Sequence, residues 1–466
     1  MLSENRRKIF NLYNELPFQM KRLFSIGTRI IPSRYIYGRN YFDTYHMIKK
    51  TEFLPQQELS KLRDEKLRNI LLHAYHTTSF YRREMVMRGI DESDIQKSPE
   101  GVLKQLDFTD KELVRENPEG FISKKKEAIL NDYVSTGGTS GEPFYFYIDS
   151  SRSAKEWAYI VDQWNRVGFE LGARRVTFRG SRIRGNYWED DWLTRERKFS
   201  SFELTDEYLN TIWPSLFDYK PEFIYAYPST MLSLCRFLEN HRKKLPLSIK
   251  AILLGSENIF EGQREYIEKI SGKKVFMWYG HSEKLVLAGE CERSNNYHAY
   301  PQYGYVEFIN EQGETAKPGE FSEIVGTGFI NTVMPFIRYR TGDYCTYLGD
   351  HCPKCGRNYH IFADVKGRWT QEILYGSKGN PICMSAINVH SNNFRNVFRF
   401  QFYQEEKGNA ILRLMPRAGF SERDRQLIED EFNDKFDGNV IVHATVVDDI
   451  PLTQRGKYKF IDHKIE

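Results

Sequence analysis

Two clusters in this sequence combine residue types and spacing that could do chemistry. Ser135-Thr136-Gly137-Gly138-Thr139-Ser140-Gly141-Glu142-Pro143 places three glycines and four hydroxyls within seven positions. Glycines let successive backbone N–H groups converge, and hydroxyls add donors around an anion, so the stretch can grip a phosphate. A solvent-facing Gly/Ser/Thr turn is the plainer alternative. A P-loop nucleotide site needs a lysine directly after the last glycine, and Glu142 stands there instead, which excludes that class. The second cluster is Cys352-Pro353-Lys354-Cys355-Gly356. Two thiolates separated by two residues can share one tetrahedral ion while the glycine permits the turn. Such a half-site needs two more ligands, and a reduced, metal-free pair is the alternative.

Composition bounds the rest. The 466 residues include 40% hydrophobic and 15% aromatic residues, enough for a large core. With 67 basic and 63 acidic side chains the net charge is +4, so no global field draws the chain onto nucleic acid. Six cysteines in this length are too sparse for a disulfide framework and suit a reducing compartment. There is no apolar run of the ~18 residues a spanning helix requires, nor a secretory signal, so a cytoplasmic location is expected. Residues 1–36 mix bases with Ile9, Phe10, Leu12 and Leu16. Such a helix either packs on the body, the favoured reading, or lies at the inner face of a membrane.

Several elements must position the two clusters. The hydroxyl-rich loop lies between Tyr133-Val134 and the alternating Phe144–Tyr147, which read as strands. Pro55 starts a helix carrying Leu59, Leu62, Leu67, Ile70, Leu71 and Ala74. Downstream, a helix over 154–167, strands at 174–178 and 250–254, helices over 230–240 and 261–270, and a strand at 274–278 alternate as βαβ units, which implies a largely parallel sheet. Ligands of such sheets bind where strands give way to loops. Arg179, Arg182, Arg184, Arg195, Arg197 and Lys198 form a basic patch that could receive an anion or could simply be solvated. Short β runs at 303–309, 321–327 and 343–348 predict an antiparallel β subdomain of about 302–366. Alternating Phe398, Phe400 and Phe402, a helix over 421–436 capped by Ser421 and Asp424, and strands at 410–415 and 440–447 predict a small α+β domain.

In this order the motifs resemble the adenylate-forming superfamily. The 135–143 loop is similar to its phosphate loop, Tyr279-Gly280-His281-Ser282-Glu283 to its Tyr-Gly-x-x-Glu segment, Tyr339-Arg340-Thr341-Gly342-Asp343 to its Tyr-x-Thr-Gly-Asp, Gly367-Arg368 to its hinge, and Pro451-Leu452-Thr453-Gln454-Arg455-Gly456-Lys457 to its C-terminal lysine motif. With the helix and turn over Leu67–Arg82, the chain resembles most the phenylacetate–CoA ligase family, and within it the divergent members of capsular and surface polysaccharide biosynthesis. Thr370 departs from that family, which has an aspartate at the hinge.

The resemblance implies an α/β fold: a large N-terminal domain over 1–367 with mixed, largely parallel sheets and the β subdomain, and a small mobile C-terminal domain over 371–466. It assigns Ser135, Thr136, Gly137, Gly138, Thr139, Ser140, Gly141, Ser256, Glu257, Tyr279, Gly280, Asp343 and Arg368 to the nucleotide. Glu283 would hold Mg²⁺, His281 would lie near the acyl carboxylate, and Lys457 would be the catalytic cation. It also implies a structural zinc on Cys291, His298, Cys352 and Cys355, with Cys345, His351 and His360 in reserve. The expected activity is AMP-forming ligation of a carboxylic acid with ATP and Mg²⁺, with CoA as acceptor. The rivals are direct acyl transfer to a sugar amine or hydroxyl, and a catalytically degenerate scaffold.

Overall fold

The computed structural model describes residues 33–136, 144–180, 183, 186–191, 193–367, 373–383, 387, 391–450 and 459–465. The alternation of short, fully apolar strands with amphipathic helices produces the parallel centre of the sheet. Glu196–Phe199, Arg175–Phe178, Phe223–Ala226, Ala251–Gly255 and Lys274–Gly280 lie side by side, each parallel to its neighbour. Every residue of Ala251–Gly255 is buried, as expected for a strand covered on both faces. The covering helices include Pro228–Asn240, which starts two residues earlier than the sequence suggests because Pro228 fits the first turn, where no N–H is needed.

Both edges then turn antiparallel. Trp188–Asp191 closes one side. On the other, Leu287–Glu290, Tyr297–Ala299, Ile361–Lys366, Tyr339–Gly349, Phe321–Gly328 and Gly304–Ile309 follow in that spatial order, making twelve strands in one sheet. The β runs of the 302–366 segment are therefore hydrogen-bonded extensions of the parallel sheet. Helix Arg152–Asn165 lies over one face of this sheet. It buries Tyr159, Val161 and Trp164 in a cluster shared with Tyr41, Phe223, Leu253 and Phe276. Fully burying side chains of this size contributes roughly 1.5–3 kcal/mol each.

Asn131–Thr136 and Phe144–Asp149 form an antiparallel hairpin whose Phe144, Phe146 and Ile148 alternate inward, as the sequence pattern predicts. The hydroxyl-rich loop joins these two strands.

The C-terminal segment has its own four-stranded sheet, Ile441–Val446, Asn409–Pro416, Val397–Glu406 and Ile461–His463 in spatial order, covered by helix Glu422–Phe436. Ser421 and Asp424 form the expected capping box. Its core unites Phe400, Phe402, Leu412, Phe432 and Phe436, and also includes Phe202 and Tyr227 of the large body. Asn380 Nδ2 donates to the Phe202 carbonyl at 2.5 Å, and the Phe202 and Phe436 rings lie edge to face at 5.9 Å. No helix among the described residues is long and apolar enough to cross a membrane.

Candidate active site and metal centre

The C-terminal ends of the parallel strands gather the motif residues. Strand Lys274–Gly280 runs directly into His281-Ser282-Glu283. The turn is held by Lys284, whose backbone is left-handed at φ 61° and whose ammonium pairs with Glu156 at 2.8 Å. His281 Nδ1 lies 3.5 Å from the buried Glu283 carboxylate. Among the described residues neither ring nitrogen of His281 has a hydrogen-bond partner. A carboxylate with a vacant imidazole beside it, at the rim of a sheet, suits a cation and an anionic substrate oxygen together.

Tyr279 and Asp343 meet although they lie on distant strands. The Tyr279 hydroxyl donates to Asp343 Oδ2 at 2.9 Å. Burial pushes the Tyr279 phenol well above its ordinary pKa, and the neighbouring Asp343 charge adds to this, so it acts as a donor. The ladder between Phe321–Gly328 and Tyr339–Gly349 shifts register between Glu323 and Val325, around Thr341 and Gly342. Gly342, at φ 69°, donates its N–H to Glu323 Oε1 at 3.1 Å, and Asp343 N–H donates to the Thr341 hydroxyl at 3.1 Å. A bulge thus lifts Asp343 out of the ladder and re-aims its carboxylate. The sequence suggests a Gly-Asp hairpin turn as the alternative; the two residues instead lie inside one strand.

Asn258 belongs to this site although no motif singles it out. It exchanges hydrogen bonds with Gly367, Nδ2 to carbonyl and N–H to Oδ1, both at 3.3 Å. A Cβ on Gly367 would sit 3.2 Å from Asn258 Oδ1 and 3.5 Å from Asp343 Oδ1. The loop after Ala251–Gly255, the hinge-side glycine and Asp343 therefore converge. The only sequence signal for Asn258 is its place at a strand end.

Ser256, at φ 67°, accepts a 2.6 Å hydrogen bond from Arg179 Nη2. Glu257 has a structural role: its carboxylate accepts from the Ser229 N–H at 2.9 Å and the Ser229 hydroxyl at 3.0 Å, at the start of helix Pro228–Asn240. Beside the basic patch the buried Arg175 pairs with Glu196 at 2.8 Å, and within it the half-buried Arg197 pairs with Asp190 at 2.6 Å. Those two cations brace the sheet edge. Arg179 instead lies over the rings of Tyr225 and Tyr227, at 4.3 and 4.5 Å from their centroids. Gly280 lies against Trp278 and Leu287. Ser135 and Thr136 end the first strand of the hairpin. Gly137, Gly138, Thr139, Ser140, Gly141, Arg368, Lys457 and the 1–32 segment lie outside the described residues.

The metal-ligand set comes together completely. The ligand atoms of Cys291, His298, Cys352 and Cys355 all lie within 4.8 Å of one another. The knuckle is closed by hydrogen bonds from Gly356 N–H to the Cys352 carbonyl at 2.8 Å and from Cys352 N–H to the Arg357 carbonyl at 2.9 Å, with Gly356 at φ 83°. His298 is fully buried, and desolvation pushes its pKa down to about 3, leaving a neutral nitrogen for coordination. Three sulfurs and one imidazole in a closed, buried cluster fit a tetrahedral soft-ligand ion. Cys345 lies elsewhere, buried in the main core, and His360 hydrogen-bonds Asp350 at 2.5 Å.

Comparisons with known proteins place the fold. Residues 374–464 match the CapK C-terminal domain family. The chain is 22% identical to protein CapK of Staphylococcus aureus over 98% of its own length and 99% of that protein. It is 25% identical to phenylacetate-coenzyme A ligase of Thermus thermophilus over 69% of this chain and 73% of that enzyme. Its fold superposes on 2-hydroxyisobutyryl-CoA ligase in complex with 2-HIB-AMP and CoA, with a TM-score of 0.56, 18% identity, and coverage of 89% of this chain and 91% of that one. The fold is that of the adenylate-forming ligases. In sequence the chain is similar to phenylacetate–CoA ligase and to CapK, and its segment 374–464 matches the CapK C-terminal domain.

Proposed function

We propose that the chain is an AMP-forming acid–thiol ligase. The observation that carries this reading is the convergence of Tyr279, Asp343, Asn258 and Gly367 beside the His281–Glu283 pair at the strand ends. Asp343 accepts the two ribose hydroxyls, since one carboxylate can take both donors. The Tyr279 ring faces the adenine, while Glu283 holds Mg²⁺ on the phosphates. His281 receives the substrate carboxylate, which attacks the α-phosphorus; the new O–P bond forms as the α–β phosphoanhydride breaks and pyrophosphate leaves. Lys457 and the 135–141 loop offset the charge that develops on the phosphate oxygens. The CoA thiolate then attacks the acyl carbonyl and AMP departs. Division at about 367–371 lets the small domain reorient between the two steps, with Arg368 at the hinge.

The Cys291, His298, Cys352 and Cys355 cluster holds a structural zinc, because four protein ligands leave no open position for substrate. The likeness to CapK supports placing this activity in surface polysaccharide synthesis, in the cytoplasm. The test is pyrophosphate release from ATP and Mg²⁺ across a panel of carboxylic acids, with and without CoA. Acid-dependent release yielding acyl-CoA is expected. Adenylate without thioester would transfer the acceptor role to a sugar amine or hydroxyl, and silence across the panel would overturn the reading in favour of a scaffold.

A further inference from the structure

Three neighbouring strands place Gly255, Trp278 and Gly289 in one row, by direct pairing of Trp278 with each glycine. The missing side chains admit polar groups. Trp278 Nε1 lies in the space a Cβ on Gly255 would occupy, and Gln163 Oε1 lies in that of Gly289. Gln163 extends from helix Arg152–Asn165 and is fully buried, yet among the described residues neither its amide oxygen nor its nitrogen has a hydrogen-bond partner. The indole nitrogens of Trp278 and Trp164 also lack one among those residues. Buried polar atoms are paired in almost every native protein, so several orphans on one face of the sheet require an explanation.

Their position supplies one. The row lies one residue below Ser256 and Tyr279, the residues that engage Arg179 and Asp343. Trp164 packs on Tyr225 at 4.9 Å, and Arg179 lies over that same Tyr225 ring. The orphans therefore lie immediately beneath the strand ends where the acid must sit. Two indole N–H groups, an amide NH₂ and a guanidinium are donors and the Gln163 amide oxygen is an acceptor, so the complementary ligand presents acceptor oxygens, and a hydroxyl would also donate to that oxygen.

We propose that the acyl chain of the substrate acid carries a second oxygen-bearing group, a hydroxyl or a carboxylate, which accepts hydrogen bonds from Gln163 and Trp278 with Arg179 at the mouth. This rests on the ligase reading for the location of the acid. A site built to hydrogen-bond such a group rejects the analogue that lacks it, because the donors are then left buried and unpaired. Alkyl and aryl acids are thus poor substrates.

The experiment compares pyrophosphate release by the full chain with matched acids: propionate against lactate, butyrate against 3-hydroxybutyrate and succinate, and phenylacetate. At least tenfold higher kcat/KM is expected for the oxygenated member of each pair. Gln163→Leu and Trp278→Phe should collapse that ratio towards one with the KM for ATP unchanged. The Tm of Gln163→Leu should hold or rise, since the amide it removes had no partner. Preference for alkyl or aryl acids, equal losses on all acids in both variants, or a fall in the Tm of Gln163→Leu would each overturn the proposal. Tryptophan fluorescence titration with the acids alone separates the two readings. Saturable binding of oxygenated acids without pyrophosphate release would uphold the pocket and overturn the ligase; release with acids that lack a second oxygen would do the reverse.

Discussion

The Tyr279 hydroxyl donates to the Asp343 carboxylate across 2.9 Å, joining two strands separated by 64 positions in the chain. Under the proposed function, Asp343→Asn removes the charge that would accept the ribose hydroxyls. Hydrogen bonds to a charged group contribute about 1.5–3 kcal/mol, so the KM for ATP should rise roughly tenfold to a hundredfold. Tyr279→Phe keeps the ring and frees the carboxylate to rotate, and should give a smaller rise. Steady-state kinetics with ATP as the varied substrate checks both; an unchanged KM in Asp343→Asn would move the ribose elsewhere.

Glu283 lies beside His281 with its carboxylate buried. Under the proposed function, Glu283→Gln keeps the shape and loses the charge that would hold the cation, so pyrophosphate release should fall by about two orders of magnitude. Added Mg²⁺ should partly restore it. A variant whose activity is insensitive to the change would place the metal on another group.

Lys457→Ala should abolish adenylate formation while the thermal melt stays within about 1 kcal/mol of the parent. Pyrophosphate release at the parental rate in that variant would remove the lysine from the reaction.

Metal analysis of protein purified without added metal should find about one zinc per chain, the capacity of one four-ligand cluster. Cys291→Ser or Cys355→Ser should lose it and lower the Tm. Cys345→Ser should retain the full complement, because that thiol is buried in the main core away from the cluster. Loss of zinc in Cys345→Ser would redraw the ligand set.

Glu257 is tied to Ser229 at the start of a helix. Glu257→Ala should cost about 1 kcal/mol through the lost N-terminal acceptor. Glu257→Gln retains one acceptor oxygen and should cost less. Thermal denaturation of the two variants separates this anchoring role from direct contact with ATP, in which the KM for ATP would rise without a change in Tm.

Much of this was legible before any coordinates, because it depends on local pattern. The apolar run before Gly255 reads as a buried strand and is one. Ser421 and Asp424 announce a helix start that forms as read. The Cys352 and Cys355 pair was legible from its spacing, whereas Cys291 and His298 came only through the family resemblance; the four side chains do come together. The alternation over Phe398–Tyr403 was less informative. Gln401 and Tyr403 are buried as well, because Val397–Glu406 is an interior strand of its sheet. Gln163 carries no local signal, Asn258 only its place at a strand end, and Arg179 only its membership of a basic patch. Their roles arise from cross-strand register and from a helix laid over distant strands, which no spacing along the chain encodes.

Phe202 and Tyr227 lie far upstream of the CapK-type segment, yet they complete its core. The unit that sequence families recognise and the unit that packing defines therefore have different borders. A fragment excised at residue 374, or a graft of that fragment onto another ligase, would carry an open apolar notch where two aromatic rings belong. Exchange of this module between relatives is constrained to partners that present matching rings, so the two parts of the chain must change together.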